Sequence, residues 1–414
     1  MFTNLADLQA FMRDQRIGLW LVYDFRGSSS VLARLLPPPA GSRRWTTRRV
    51  LLAIPAAGEP RILVHAIDAA QFEFTSKSRD VYLAWPELQT WLSGQIETHG
   101  PRVAMEYSPG NALPVVSVTD AGTIDLARAL GAEVVSSANL IQHCIARWSA
   151  AALASHEWAS REVARVKDEA FVMIRDRLAA AAPVSERDVQ QLILQRFAAA
   201  GLTTDEPVVA VNEHSADPHF EVAHAGSSPI NPNDWVLIDL WARRAGAGGG
   251  ARGNAAPTED NIYSDITWVG FAGRDSDIPS KHREVFDAVK QARDASVDLA
   301  QQAYRKKQQL QGWQLDDAAR NVLIASGHER HIRHRTGHSL SAGPMVHGLG
   351  VNLDNLETHD TRDILPGVGW TVEPGLYFPG PGGFGVRLEI NMHACPTRGP
   401  VVTSCVQDRI VTLA

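Results

Sequence analysis

Val236-Leu237-Ile238-Asp239-Leu240-Trp241 sets a carboxylate in the middle of an apolar run, and Ile262-Tyr263-Ser264-Asp265-Ile266-Thr267-Trp268 repeats the arrangement further along. Both runs read as buried strands. Two later stretches share the feature, Trp370-Thr371-Val372-Glu373-Pro374-Gly375 and Val386-Arg387-Leu388-Glu389-Ile390. An isolated buried charge is expensive, so each carboxylate must be paired, hydrogen-bonded or metal-bound. Each has an ordinary explanation when taken alone. Asp239 could be an edge residue or an ion-pair partner, Glu373 could merely end a strand, and Arg387 could serve as a local counter-ion.

Histidine adds to the pattern. Six of the 15 histidines lie between His328 and His359. His334-Arg335-Thr336-Gly337-His338 stands out because a loop and His347-Gly348-Leu349-Gly350 follow it. Glycine beside histidine lets the backbone approach a ligand closely. Four carboxylates in apolar strands and a Gly-flanked histidine suit a shell for two divalent cations, since hard oxygen ligands balance the metal charge.

Outward from these strands, the chain reads as helix, helix, sheet, taken twice. Residues 149–182 form one long helical pattern stopped by Pro183. Ser185 with Asp188 makes a capping box for a second helix, ended by Gly201. A strand region spans 234–271. Helices over 280–310 and 315–326 follow, and a second strand region starts near Gly337. The order reads either as an internal pseudo-twofold duplication or as an α+β domain with two helical pairs. Between Asp239 and Asp265 lies a Gly/Ala-rich insertion, residues 245–254, flanked by Arg243 and Arg244 and containing Arg252. Its composition predicts a flexible loop.

Residues 1–148 alternate helical and strand patterns, which predicts a separate α/β domain before a catalytic domain over 149–414. Leu5, Leu8, Phe11 and Met12 recur at helical spacing, Ile17 to Tyr23 read as a strand, and Ala57-Gly58-Glu59-Pro60 reads as a hairpin turn. Residues 36–44 read as a loop.

The whole chain has 414 residues, 44% of them hydrophobic, enough for a large core and more than one domain. A formal net charge of −6 without a basic block argues against nucleic-acid binding. Three cysteines cannot form a disulfide framework, and no apolar run is long enough to span a bilayer. A cytoplasmic protein without nucleic-acid or membrane partners is expected.

The order Asp239, Asp265, His338, Glu373, Glu389, with the last two in Glu-Pro-Gly and Arg-x-Glu settings, resembles the M24 metallopeptidases of the pita-bread fold, most closely the prolidase and aminopeptidase P branch. The resemblance implies a creatinase-type amino-terminal domain, a pita-bread catalytic domain and a homodimer. It implies two divalent cations per subunit, manganese first, with zinc or cobalt also suited, held by those five residues. It implies catalytic roles for Glu373 as general base and His347 as oxyanion donor, and substrate contacts for His219, His334 and Arg387. The implied reaction is hydrolysis of Xaa-Pro bonds in dipeptides or short peptides by a metal-activated water. Other activities of the same fold are carboxypeptidase action, phosphotriester or creatine hydrolysis, and binding without catalysis. The long insertion departs from the family pattern, as does Ile390, where relatives often carry an acid.

Overall fold

The computed structural model describes residues 4–37, 44–246, 260–343 and 345–414. They form two compact units, Met1–Ile145 and Ala146–Ala414.

The first unit is built on a six-stranded sheet of β1 (Leu19–Phe25), β2 (Arg49–Pro55), β3 (Arg61–His65), β4 (Arg79–Tyr82), β5 (Arg102–Met105) and β6 (Glu133–Ser136), in the order β4-β3-β2-β1-β5-β6. Strand β2 pairs antiparallel with both neighbours, and the turn at residues 57–60 joins β2 to β3. The helices are α1 (Leu5–Asp14), α2 (Ser30–Leu35), α3 (Trp85–His99), α4 (Ala121–Ala129) and α5 (Ala138–Ile141). Helix α3 buries Leu88, Leu92 and Ile96 against Leu19, Leu21, Leu51 and Val103 of the sheet. That i, i+4, i+8 stripe is one face of a helix. Most of the loop expected over 36–44 lies outside the described residues.

The second unit opens with α6 (Ala150–Ala179), whose N-cap Ser149 accepts from the Ala152 N–H. Ser185 and Asp188 form the reciprocal cap of α7 (Glu186–Ala199), and Gly201 leaves the helix at φ +72°. Then come β7 (Leu202–Thr203), β8 (Val208–Val211), β9 (Trp235–Arg244), β10 (Ser264–Phe271), α8 (Ser280–Arg305) and α9 (Gly312–Ala325). The remaining strands are β11 (Gly369–Val372), β12 (Gly375–Phe378), β13 (Phe384–Arg387), β14 (Ile390–Cys395), β15 (Gly399–Val402) and β16 (Val411–Thr412). Strand β9 is central, paired with β7, β8 and β10, and β16 joins the far edge of β10. Among the described residues, no helix is long and apolar enough to cross a membrane.

Period-2 alternation explains how this sheet carries charge. Val236, Ile238, Leu240 and Ala242 of β9 pack with Val163, Val166, Phe171, Ile193 and Phe197 from α6 and α7. The opposite face sets Trp235 and Leu237 with Val269, Phe271 and the α8 residues Val285 and Val289. Asp239 continues that second face, and antiparallel register sets Thr267 opposite Asp239 and Asp265 opposite Trp241.

Several boundaries differ from the sequence reading: α6 ends at Ala179 rather than 182, α9 begins at Gly312 rather than 315, and the units divide after Ile145 rather than 148. Helix α8 stops at Arg305 rather than Leu310. Lys307 takes φ +55° there, and the Gln308 N–H returns to Ala303 O, closing the last turn. Among the described residues, no continuous strand begins at Gly337. Gly337, Ser339 and Leu340 form isolated bridges to Leu353, Trp370 and His347, and strand β11 begins only at Gly369. Of the Gly/Ala-rich insertion only Ala245 and Gly246 are described; the rest lies outside the described residues.

Candidate functional site

Five segments deliver the chemistry to one place. Strands β9 and β10 present Asp239 and Asp265 on one face. The loop after Thr336 presents His338, and its course depends on Gly337. A Cβ at that position would lie 2.0 Å from Thr371 O, so only glycine lets the two main chains touch. The His338 N–H donates to Thr371 Oγ1 at 3.0 Å, and Thr371 N–H donates to His338 O at 2.8 Å. Thr371 Oγ1 also donates to Glu373 Oε1 at 2.9 Å. Glu389 follows β13, and its N–H donates to Thr267 O at 3.2 Å.

Ligand-type atoms of Asp265, His338 and Glu389 lie within 4.8 Å of one another, and all three residues are buried. His338 Nδ1 is committed to Ser339 O at 3.1 Å, which turns Nε2 toward Asp265 Oδ2 at 3.6 Å and Glu373 Oε1 at 3.4 Å. Asp239 lies just beyond this trio. Its carboxylate is paired with Arg387 Nη2 and accepts from Thr267 Oγ1 at 3.1 Å. Thr267 Oγ1 also meets Glu389 Oε2 at 2.7 Å and accepts from Arg387 Nε at 2.8 Å.

The electrostatics are unbalanced. Asp239, Asp265, Glu373 and Glu389 share one pocket with the Arg387 guanidinium and the His338 imidazole. Burial first, and the neighbouring carboxylates Asp265 and Glu373 next, push Asp239 up to about 7 although Arg387 pulls it down. Burial, with the same mutual repulsion, drives Glu389 far above the usual carboxylate range and raises Asp265. Burial would raise Glu373 as well, but His338, Arg387, His334 and His347 outweigh it and hold the carboxyl below its ordinary value. Burial would lower His338, and Asp265 and Glu373 reverse that. Asp265 Oδ1 and Glu389 Oε1 are buried without a hydrogen-bond partner. Excess negative charge and orphaned oxygens around one imidazole form a donor set that fits divalent cations.

A cavity of about 740 Å³ opens onto the cluster and is lined by all five of these residues together with His219, His347 and Arg387. Its outer wall is apolar at Pro218, Phe220, Val222, Trp241, Met345 and Val346, and acidic at Asp205, Glu206 and Glu221. His219 sits on an exposed turn, with its N–H on Asp217 Oδ1 at 3.0 Å. The His347 ring centroid is 3.9 Å from that of His338, whose charge, with burial second, lowers His347 well below the ordinary imidazole value. His334 is not part of the lining. Both its ring nitrogens are engaged, Nδ1 with Arg335 O and Nε2 with Tyr377 Oη, each at 2.7 Å. Tyr377 Oη in turn accepts from Arg387 Nη1 at 3.4 Å. Arg387 thus lines the cavity with its guanidinium engaged by Asp239, Thr267 and Tyr377.

Thr267, Tyr377, Phe220 and Trp241 were not singled out from sequence. Thr267 is two residues from Asp265, and Tyr377 four from Glu373. Same-face spacing from a suspected ligand was the available signal for Thr267.

A sequence profile of metallopeptidase family M24 matches residues 159–394. The chain is 24% identical over 379 residues to the protein named probable dipeptidase PepE of Mycobacterium tuberculosis, covering 90% of this chain and 88% of that one. It is 26% identical over 184 residues to Xaa-Pro dipeptidase of Lactobacillus helveticus, covering 44% and 40%. The match spans about half the length of several curated relatives. The crystal structure of dipeptidase PepE from Mycobacterium ulcerans superposes with a TM-score of 0.66 at 20% identity, covering 99% of this chain and 97% of that one, a likeness of fold. With more than half its length matched by the profile, the chain belongs to metallopeptidase family M24.

Proposed function

We propose that this protein hydrolyses Xaa-Pro bonds in dipeptides or short peptides, with two divalent cations held by Asp239, Asp265, His338, Glu373 and Glu389. The buried trio of Asp265, His338 and Glu389, with its unpartnered carboxylate oxygens, carries the reading. Manganese suits the oxygen-rich set, and zinc or cobalt would also fit. Cations bound there would lower the pKa of a water and polarise the scissile carbonyl.

The chain's own residues supply the rest. Glu373, kept ionised by the surrounding positive groups, accepts a proton from the attacking water and passes it to the proline nitrogen, which leaves as a secondary amine. His347, held well below the ordinary imidazole value and so neutral, donates one N–H to the developing oxyanion. Arg387 holds Asp239 and Tyr377 in place, and His334 holds Tyr377 from behind. His219 and the apolar wall at Phe220, Trp241 and Val346 receive the peptide, with room for a proline ring. The first unit corresponds in this reading to the creatinase-type domain, and the protein acts as a cytoplasmic homodimer, a state that light scattering measures.

The test is a hydrolysis panel on manganese-loaded protein: Xaa-Pro dipeptides, Xaa-Pro-Xaa tripeptides, amino-blocked peptides, creatine and a phosphotriester. Cleavage confined to unblocked Xaa-Pro peptides is expected. Turnover of creatine or the phosphotriester with no peptide cleavage would overturn the proposal.

A further inference from the structure

The edge of β10 facing away from β9 is closed largely by side chains. Asp265, Thr267, Val269 and Phe271 direct main-chain groups to that edge. Buried N–H and C=O groups need partners. Strand β16 pairs only with Gly270 and Phe271. Thr267 O receives the Glu389 N–H. At Asp265 no strand among the described residues pairs with this edge, and the Asn391 side-chain amide stands in for one. Asn391 Oδ1 accepts the Asp265 N–H at 3.0 Å, and Asn391 Nδ2 donates to Asp265 O at 2.5 Å. The same Oδ1 accepts from Ser264 Oγ at 3.0 Å.

Asn391 is itself fixed. It is fully buried, its N–H donates to Ser404 Oγ at 2.8 Å, and its C=O accepts from Thr403 N at 2.9 Å. One residue separates it from Glu389, just as one separates Asp265 from Thr267. Segments 265–267 and 389–391 are therefore bridged at both ends, by Asn391 on Asp265 and by Glu389 on Thr267. The closed ring sets the distance between the Asp265 and Glu389 carboxylates, which lie 124 positions apart in sequence.

We propose that Asn391 is a positioning residue of the metal centre, holding the Asp265 main chain at the height its carboxylate needs to share a cation with Glu389. The inference rests on the metal-binding reading above.

The strand supplies its own comparator. Gln407 makes the same two bonds to Val269, Oε1 accepting from N at 2.9 Å and Nε2 donating to O at 2.7 Å, and it is equally buried. Val269 packs in the apolar core and bears no ligand atom. A purely structural role for these amides would make the two positions equivalent.

Full-length wild type, Asn391→Leu and Gln407→Leu, stripped of metal and checked for fold by circular dichroism, are titrated calorimetrically with manganese(II) chloride. Asn391→Leu is expected to bind manganese about 10–100-fold more weakly, the range for groups that orient a metal's ligands. Gln407→Leu should melt lower yet bind within about threefold of wild type. Equal weakening in both, or none in Asn391→Leu, overturns the proposal. Should the leucine variants not fold, Asn391→Ser and Gln407→Ser give the same comparison. If only the Asn391 variants remain unfolded, the residue is a folding determinant and the proposal falls. Wild type that takes up no manganese defeats the reading of the site itself, a result separable from the others.

Discussion

The Thr267 hydroxyl meets Asp239, Glu389 and Arg387 at once. Its single proton goes to one carboxylate while its lone pair holds the guanidinium, so it couples two proposed ligands to the arginine between them. Thr267→Val keeps the shape and removes those bonds, leaving Arg387 Nε buried and unpaired. A stability loss of about 1–3 kcal/mol is expected in urea unfolding, together with weaker manganese uptake. Glu373→Gln should fold normally and lose about 10²–10⁴-fold in kcat on Xaa-Pro dipeptides, because the amide cannot carry the proton. Near-wild-type turnover would remove Glu373 from the reaction. Asp239 and Asp265 were legible in sequence because a charge inside an apolar strand is costly and so demands explanation. Thr267 and Asn391 were not, since threonine in a strand and a buried asparagine are ordinary. Their significance arises from partners 122 and 126 positions away, which only the folded register reveals.

At the scale of elements, the alternation of β9 and β10 places apolar residues on α6 and α7 and turns Asp239 and Asp265 to the other face. That both stretches are buried strands was readable from their apolar runs, and the Ser185 cap from its spacing, whereas the face each carboxylate takes appears only in the folded sheet. The path of 337–347 was not, because its backbone bonds run to Leu353 and to β11 rather than to any local repeat. Gly337 is the tightest point of this arrangement. Gly337→Ala would force the His338 loop away from Thr371, and a misplacement near 1 Å costs on the order of 10²-fold in kcat/KM. Wild-type activity in that variant would show that the loop tolerates displacement.

Across the whole molecule, the first unit holds a titratable group that the second does not share. Burial raises Glu106 to about 7, although Trp20 Nε1 at 2.8 Å and Ser137 Oγ at 3.0 Å donate to it. The folded state thus binds this proton more tightly than the unfolded chain, whose carboxyl titrates near the ordinary value. The stabilisation is complete below about pH 4.5 and is lost as pH rises through about 7. Glu106→Gln should flatten this dependence and exceed wild type at pH 8 by a difference on the order of 3 kcal/mol, read from urea unfolding at pH 5 and pH 8. In the second unit the acidic cluster makes the claim on which the rest depends. Its most direct test is the manganese content of reconstituted, gel-filtered protein by elemental analysis, with Asp265→Asn and Glu389→Gln alongside. The account predicts about two manganese ions per wild-type chain and a clear loss in both variants. Wild-type protein with no manganese above the buffer level, or variants that retain the full complement, would contradict it.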